Sequence, residues 1–524
     1  MQYNYSPRIH YFLRFIIGGL VLGLLCAVIF TSLFFTHDHI QAAVLLVQSN
    51  VVGFVGHYYR VGIALYVLFV GSIIFLENKN PDSTMAWLVV LALLPVLGLL
   101  CYWVIGPDLR YYSRKKQLAA PGGKKAKHAQ AEEYKRSLGN KTAALIYGSS
   151  LAPVHANCRV TLLVDGKETY DAMLEKIQQA KEYVLFQTFI IANDAIGETF
   201  KKALAQKARE GLTVCLLYDA VGSWKISRKS VEELRKVGVF VQAFLPVAFP
   251  MLRGANYRNH RKTLLVDNEF GFMGGVNIRE YYLQNNGGQL PWRDTHCMLQ
   301  GTAVHNLVET FVEDLTLCGA PPALLKKITQ STQRQQNNTP GTSQVQIAHS
   351  GPNSHWDCIK KAYFSLFTSA TKNLWITSPY LIPGTALQEA LCTAALRGVD
   401  VRILIPGEPD HPMVFWASLH SCEELLRAGV RIYQYPPNRF IHAKTIVCDS
   451  AVYSVGTANL DTRSLSINFE SQTFMYDADL AKQGEQLFLA DIANAKQLHF
   501  AQWTKRPLWH KVLENIGKLI SPMA

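Results

Sequence analysis

The first hundred residues contain three apolar stretches separated by short polar segments. The stretches are Tyr11–Phe35, Val61–Leu76 and Met85–Ile105. An apolar run of roughly 20 residues is long enough to cross a bilayer as a helix, so the pattern predicts a transmembrane region of two to three spans over residues 1–106. The middle stretch is short, and a buried core helix is the alternative for it. A cleavable signal peptide fits the first stretch poorly, because bulky Leu33, Phe34 and Phe35 end it where small residues are needed.

A basic segment follows the last apolar stretch. Its cations are Arg110, Arg114, Lys115, Lys116, Lys124, Lys125, Lys127, Lys135 and Arg136. Positive charge beside a span favours the cytoplasmic side, so we predict a basic juxtamembrane linker over residues 107–157 and a cytoplasmic catalytic domain. The segment can also attract an anionic leaflet, or act only as a solvated linker. Three spans would place the N-terminus outside, against the charge of Arg8 and Arg14, so span number and orientation stay open.

From about Cys158 onward, short β-branched runs alternate with amphipathic stretches. The predicted strands are Val160–Val164, Tyr183–Ile191, Val214–Tyr218 and Val239–Phe244. The predicted helices lie near Tyr170–Ala180, Glu198–Arg209 and Lys229–Val237. Strands that alternate with helices are typical of an α/β fold with a layered sheet.

The same order of elements recurs later in the chain. The second set of helices is predicted near Trp356–Thr368, Leu387–Leu396 and Val414–Arg427, and the strands at Leu374–Ser378, Val399–Ile405 and Val430–Tyr435. Even the turns match, since Gly211 and Gly398 follow equivalent helices, as do Gly238 and Gly429. The sequence therefore predicts an internal duplication.

The repeat sets the domain boundaries. We predict a first half over residues 158–319, a linker over 320–346 that is rich in Gln, Asn, Thr and Pro, and a second half over 347–524. The two halves, with mixed sheets flanked by helices, form one catalytic unit. Near the C-terminus, aromatic and basic residues flank an apolar stripe, which is typical of a helix at a membrane interface. Packing on the catalytic domain explains the stripe equally well.

The composition limits the cofactors and partners that the protein is expected to bind. The ten cysteines include no C-x-x-C pair, and no His cluster has metal-ligand spacing, so we predict no disulfide framework, zinc site or other cofactor. The net charge of +13 indicates an anionic partner, either nucleic acid or an acidic lipid surface. Because the charge concentrates just after the predicted spans, we expect a phospholipid and a membrane rather than nucleic acid.

Each half carries one sparse motif with identical spacing: H-x-K, four residues, D, six residues, G-G/T-x-N. In the first half it supplies His260, Lys262, Asp267 and Asn277. In the second half it supplies His442, Lys444, Asp449 and Asn459. A single histidine beside a lysine is more often an ordinary surface pair, but a second copy at the equivalent place makes coincidence negligible.

The motif provides groups suited to a phosphodiester. Alternation places His260 and Lys262, and equally His442 and Lys444, on one face of a strand. One imidazole can attack phosphorus while the other protonates the leaving alcohol, and the roles reverse when an acceptor alcohol arrives. The two lysines and two asparagines can stabilise developing negative charge. The aspartates complete the candidate catalytic set and are expected at the turn into the next strand. The glycines are expected to let the backbone approach closely, which leaves room for Asn277 or Asn459 to reach a ligand.

These paired segments resemble the HKD motifs of the phospholipase D superfamily. Further segments are similar to bacterial cardiolipin synthases: Ala86-Trp87-Leu88, Leu94-Pro95-Val96-Leu97-Gly98, Tyr257-Arg258-Asn259, Pro291-Trp292-Arg293-Asp294 and Asp461-Thr462-Arg463-Ser464. The resemblance implies a multi-pass protein of the bacterial inner membrane that transfers a phosphatidyl group between two phosphatidylglycerol molecules, giving cardiolipin and glycerol.

The resemblance also implies roles for individual residues. His260 is expected to be the nucleophile, and His442 the acid and then the base. Asp294 and Glu470 are expected to orient the imidazoles, unless they only pair with neighbouring arginines. A hydrolase that uses water, a nuclease, a transferase with another acceptor alcohol, and an inactive lipid-binding scaffold are the alternatives. The sequence leaves the acceptor and the oligomeric state open.

Overall fold

The computed structural model describes residues 138–246, 256–284, 290–334 and 341–520, together with Lys135 and several residues between Val61 and Tyr102. The chain divides into two compact units, Met1–Pro107 and Asp108–Ala524.

In the first unit, four buried side chains form a small apolar cluster: Val70, Trp87, Leu91 and Tyr102. The rings of Trp87 and Tyr102 meet edge to face, with centroids 5.1 Å apart. None of the helices in the described residues is both long and apolar enough to span a bilayer. The predicted span Tyr11–Phe35 lies outside the described residues, and the other two predicted spans fall on them only in part.

The second unit is an α/β structure. Its strands are β1 (His155–Val164), β2 (Tyr183–Thr188), β3 (Thr213–Asp219), β4 (Phe240–Phe244), β5 (Thr263–Val266), β6 (Phe270–Gly274), β7 (Leu290–Arg293), β8 (Thr295–Gln300), β9 (Ser343–Ser350), β10 (Asn373–Thr377), β11 (Leu381–Ile382), β12 (Asp400–Ile405), β13 (Arg431–Gln434), β14 (Arg439–Ile441), β15 (Thr445–Cys448), β16 (Val452–Gly456), β17 (Leu460–Asp461), β18 (Glu470–Tyr476) and β19 (Lys496–Leu498). Its helices are α1 (Lys141–Ser150), α2 (Asp165–Gln179), α3 (Ala195–Arg209), α4 (Arg228–Lys236), α5 (Ala303–Leu317), α6 (Pro322–Arg334), α7 (Cys358–Ser369), α8 (Gly384–Leu396), α9 (Pro412–Arg427), α10 (Thr462–Ser466), α11 (Ala478–Ile492), α12 (Phe500–Trp503) and α13 (Leu508–Ile520). A 3₁₀ helix covers Glu280–Tyr282.

Among the described residues, the main sheet of this unit has 15 strands, in the order β19-β13-β12-β10-β15-β16-β18-β9-β1-β8-β6-β5-β2-β3-β4. Read outward from the central pair of β9 and β1, the two sides carry equivalent strands, except that β19 adds an edge to the second half. Strands β2, β3 and β4 pair in parallel, as do β10, β12 and β13, whereas β1 and β9 pair antiparallel. The predicted α/β fold and its duplication are therefore confirmed, and the halves are joined through one continuous sheet.

The repeated turns have a clear backbone cause. Gly211 and Gly398 have φ of 91° and 90°, and Gly238 and Gly429 have φ of 94° and 95°. Side chains with a Cβ rarely adopt this conformation, so glycine ends each of these helices and turns the chain towards the next strand.

Both segments predicted as linkers contain regular structure. The segment 107–157 contains α1 and the start of β1, and the segment 320–346 contains α6 and the start of β9. Ile146 of α1 and Ile328 of α6 are both almost fully buried in the apolar core of the second unit. Each helix exposes polar residues on its other side. Its apolar stripe is so short that the hydrophobic pattern of the sequence does not distinguish a helix from a loop.

Candidate active site

The two H-x-K segments meet at the boundary between the halves. They were expected within strands, but each lies in an extended segment just before β5 or β15. The N–H of His260 donates to the carbonyl of Phe469 at 2.9 Å, and the N–H of His442 donates to the carbonyl of Arg293 at 2.7 Å. Because both acceptors belong to the opposite half, the backbone at each histidine connects the halves and does not extend its own strand.

Each imidazole is held by a carboxylate from the opposite half. The His260 Nδ1 lies 2.9 Å from Glu470 Oε1, and the His442 Nδ1 lies 2.8 Å from Asp294 Oδ2. Both carboxylates are fully buried. A carboxylate that accepts from Nδ1–H fixes the tautomer with the lone pair on Nε2. Each histidine can therefore offer Nε2 to a ligand.

Arginines do not take these carboxylates away from the imidazoles. The guanidinium of Arg293 pairs with Asp491 at 2.9 Å, and Arg463 donates to Asn256. The alternative in which Asp294 and Glu470 serve only as partners of these arginines is therefore not what the structure shows.

The two lysines are buried beside the histidines. Lys262 Nζ donates to the carbonyl of His260 at 2.8 Å, and Lys444 Nζ lies 2.8 Å from the Nδ1 of His442. Burial lowers the pKa of Lys262 to about 7 and that of Lys444 to about 8, against the opposing charges of Glu470 and Asp294. Burial without water destabilises the charged ammonium form of a lysine, and a bound anion stabilises that form.

Electrostatics place the titratable groups of both halves in one site. Burial lowers the pKa of His442 well below its usual range, and Lys444, Lys262 and His260 lower it further. Burial also lowers the pKa of His260, although Glu470 opposes this. The lowered pKa values favour the neutral imidazoles, the form in which Nε2 can act as a nucleophile or base.

The orienting carboxylates differ in their electrostatics. Burial raises the pKa of Asp294 to about 6, and Lys444 opposes the change. Burial acts in the same direction on Glu470, but His260 and Lys262 outweigh it, so the pKa of Glu470 lies below its usual value. The two halves therefore hold their histidines with carboxylates of different proton affinity.

The two asparagines of the motif are both buried but bind differently. Asn277 Oδ1 accepts the N–H of Ile190 at 3.2 Å. Asn459 Oδ1 is buried with no hydrogen-bond partner among the described residues. A buried acceptor without a partner is costly, so Asn459 is suited to accept a hydrogen bond from a bound substrate.

The two aspartates of the motif lie away from the histidines. Five residues of extended chain, at about 3.3 Å each, separate Lys262 from Asp267. Asp267 accepts the N–H groups of Lys181, Glu182 and Tyr183 at 2.6, 2.9 and 2.9 Å. Asp449 binds the equivalent loop of the second half. Their expected place at a turn is confirmed, and each carboxylate holds the loop that enters its strand, whereas their catalytic role stays a prediction.

We expect Asp267→Asn to destabilise the fold while sparing the chemistry. The amide retains one acceptor oxygen and presents an NH₂ group to backbone donors, so about 1–3 kcal/mol of unfolding free energy should be lost. Denaturant unfolding of the variant measures this loss. Unchanged stability with greatly reduced turnover in the folded protein would instead support a catalytic role for the aspartate.

Gly275 makes room for a carboxylate, whereas a Cβ on Gly456 of the second motif would overlap Gln472. A Cβ on Gly275 would lie 2.1 Å from Asp294 Oδ1. In the second half Thr457 takes this position, and its hydroxyl donates to Glu470. The glycine thus lets Asp294 reach His442, whereas the threonine adds a hydrogen bond to the other carboxylate.

Aromatic side chains that sequence reasoning did not assign surround the histidines. The ring of Phe189 meets His260 edge to face at 4.9 Å. The hydroxyl of Tyr282 lies 3.2 Å from His442 Nδ1, and the Trp292 ring lies 5.5 Å from the His442 ring. Phe189 follows β2, Tyr282 ends the 3₁₀ helix and Trp292 lies in β7, so none of them belongs to either motif and the motif spacing does not identify them. Together they exclude water from the imidazoles.

A second unassigned contact holds the first motif in place. Asp314 is fully buried on α5 and binds the guanidinium of Arg261 at 2.6 Å and the amides of Gln187 and Asn259 at 2.7 and 3.1 Å. Such a satisfied buried network fixes the backbone on both sides of His260. In the described part of the chain, no group of three or more His, Cys, Asp or Glu side chains could hold a metal ion.

The duplicated sheet and the paired histidine–lysine sites define a protein of the phospholipase D superfamily. A family model described as "Cardiolipin synthase, PLD-like domain" matches residues 173–290 and 363–492. A second, described as "Phospholipase_D-nuclease N-terminal", matches residues 64–107. A cardiolipin synthase of Alkalihalophilus pseudofirmus is 37% identical over 88% of this chain and 92% of that protein. One of Staphylococcus aureus is 36% identical over 88% of this chain and 95% of that protein. The chain belongs to the cardiolipin synthase family.

A solved structure supports the fold. The phosphatidylserine synthase of Haemophilus influenzae aligns with a TM-score of 0.55 at 15% identity, over 73% of this chain and 98% of that one. At this level of identity the likeness concerns the fold alone.

Proposed function

We propose that the chain is a cardiolipin synthase that transfers a phosphatidyl group from one phosphatidylglycerol to another and releases glycerol. The observation that carries the proposal is the pair of buried imidazoles, each oriented by a carboxylate from the opposite half and sharing one site with two lysines. Family membership, shown by relatives named cardiolipin synthase, supports the same reaction.

In the first step, His260 Nε2 attacks the phosphorus of the donor lipid. The P–N bond forms, the P–O bond to the glycerol headgroup breaks, and the leaving oxygen takes a proton from His442. Protonated His442 is favoured by the neighbouring Asp294 carboxylate and by the negative charge of the bound phosphodiester. Lys262 and Lys444 stabilise the charge that develops on the other phosphoryl oxygens.

In the second step, a headgroup hydroxyl of the acceptor phosphatidylglycerol attacks the phosphohistidine. His442 accepts the hydroxyl proton, the new P–O bond forms, the P–N bond breaks, and cardiolipin leaves. The rings of Phe189, Tyr282 and Trp292 lower access of water, which favours transfer to an alcohol over hydrolysis.

The proposal includes a place in the cell. Apolar stretches in the first hundred residues and the cations that follow them support a multi-pass protein of the bacterial inner membrane with a cytoplasmic catalytic domain. Anionic phospholipid is then the nearest phosphodiester to the site.

Product analysis tests the reaction. Purified full-length protein is incubated with phosphatidylglycerol vesicles, and lipids and free glycerol are measured by mass spectrometry. We expect equal amounts of cardiolipin and glycerol. Phosphatidic acid without cardiolipin would instead show a hydrolase, and a hybrid product in vesicles that also contain phosphatidylethanolamine would show that another alcohol is accepted.

A further inference from the structure

A cavity of about 570 Å³ adjoins the active site on the side of the first half. Its walls are formed by residues 190–194, 222–225 and 279–284. Ile190 in this wall donates its N–H to Asn277 of the motif, and Phe189 beside it contacts His260. The wall of the cavity therefore binds Asn277 and adjoins the residue that contacts His260, yet none of the steps described above uses the cavity.

Two cations supported by aromatic rings line this cavity. The guanidinium of Arg279 lies 3.8 Å from the ring centre of Tyr281, and Lys225 Nζ lies 5.1 Å from that of Trp224. Trp224 is 73% exposed. An exposed tryptophan beside a lysine is typical of a lipid interface, where the ring sits at headgroup level.

The two carboxylates that line the cavity form no ion pair with these cations. Asp194 and Glu280 both accept backbone N–H groups, at the starts of α3 and of the 3₁₀ helix. Within the described residues, no carboxylate lies at ion-pair distance from Lys225 or Arg279, whereas nearby Lys201 pairs with Glu198 at 2.7 Å. The cavity thus presents two cationic groups that are not bound to a carboxylate among the described residues, and both are placed to bind an anionic ligand.

The duplicated half carries the opposite charge at the equivalent places. Arg279 follows Asn277 by two residues, and the residue that follows Asn459 by two is Asp461. The loop after β3 contains Lys225, whereas the loop after β12 contains Glu408 and Asp410. Since the backbone is duplicated, this difference in charge distinguishes the two sides of one active site.

The acidic side forms a smaller cavity beside His442. It has a volume of about 190 Å³, and Glu408, Asp410, Trp292 and Phe440 are among its lining residues. Arg439 also lines it, and its guanidinium pairs with Asp165. The rings of Trp292 and Phe440 lie 5.5 and 6.3 Å from that of His442. Tyr281 lines both cavities, so the cationic cavity and the acidic cavity adjoin at this ring.

We propose that the cationic cavity binds the phosphodiester of the acceptor lipid, the one that is not transferred, through Arg279 and Lys225. The glycerol headgroup of that lipid passes Tyr281 into the acidic cavity, where carboxylates accept its hydroxyl hydrogen bonds and His442 accepts the proton of the attacking hydroxyl. This inference rests on the proposed function. It explains how the enzyme selects a second anionic lipid as acceptor over water or a free alcohol.

Two reactions of one protein separate acceptor binding from the rest of catalysis. Cardiolipin formation needs an acceptor that carries a phosphodiester. Exchange of isotope-labelled glycerol into phosphatidylglycerol forms and breaks the same phosphohistidine but uses an uncharged acceptor. Both are measured on full-length protein in the same phosphatidylglycerol vesicles.

We expect Arg279→Gln and Lys225→Gln each to raise the KM of phosphatidylglycerol in cardiolipin formation about tenfold or more, the usual effect of losing a charge-assisted hydrogen bond. Glycerol exchange should stay within about twofold of wild type, because the donor site is intact. Arg279→Lys should recover part of the loss. Lys202→Gln and Arg209→Gln, which remove exposed cations of α3 outside the cavity, should change neither reaction.

The outcomes distinguish this inference from the proposed function. If wild type makes no cardiolipin, the proposed function fails whatever the variants do. If wild type makes cardiolipin and the Arg279 and Lys225 variants keep its KM, the cavity does not bind the acceptor. If exchange and cardiolipin formation fall together in these variants, the cations serve the donor or the fold, and the inference is overturned.

Discussion

Replacing His260 with glutamine should lower cardiolipin formation by about 10⁴-fold or more, because it removes the only proposed bond between protein and phosphorus. No phosphoenzyme should form with a ³²P-labelled donor. His442→Gln should reduce turnover comparably for a different reason, since leaving-group protonation and acceptor activation both lose their proton carrier. Both variants therefore lose turnover to a similar extent, but they differ in whether the phosphohistidine can form.

A donor with an acidic leaving group makes this difference measurable. Phosphatidyl-p-nitrophenol needs no proton on its leaving oxygen, so His442→Gln should still release nitrophenol in a burst and accumulate labelled protein. His260→Gln should give neither signal. Accumulation of label in the His260 variant, with none in the His442 variant, would reverse the assignment of nucleophile and acid while leaving the paired-histidine mechanism intact.

The sequence predicts those parts of the fold that depend on local periodicity. The alternation of β-branched and amphipathic runs identified strands and helices of both halves, and glycines such as Gly211 and Gly398 marked equivalent turns. Helices α1 and α6 were missed because their stability comes from Ile146 and Ile328 packing on distant elements. Tertiary burial, and not intrinsic propensity, decides such short helices.

The sequence predicts those residues of the site that occur in both copies of the motif. The spacing of His260 and Lys262, repeated in the second half, is visible without a structure. Family resemblance named Asp294 and Glu470 as orienting residues, but their exchange between the halves was not predicted, since Glu470 and His260 are separated by 210 residues. Contacts between residues that are distant in sequence also explain why residue 275 is a glycine, since a Cβ there would overlap Asp294. The backbone partners of Asp267 could not be predicted for the same reason.

Asp294→Asn should lower turnover by about 10²–10⁴-fold, because an amide can hold the His442 ring but cannot stabilise its protonated form.

The ionisation of the same carboxylate should be visible in the pH profile of the wild-type enzyme. With a pKa of about 6, Asp294 loses its charge as pH falls, so kcat/KM should decline below about pH 6. Lys262 and Lys444, with pKa values of about 7 and about 8, lose theirs as pH rises, so kcat/KM should decline again above that range. A bound phosphodiester favours the ammonium forms, and the alkaline limb of kcat should therefore lie at higher pH than that of kcat/KM.

In Asp294→Asn the acid limb should disappear, whereas the exposed control Asp479→Asn should keep it. An unchanged acid limb in Asp294→Asn would assign that limb to another group and remove Asp294 from the proton-transfer step.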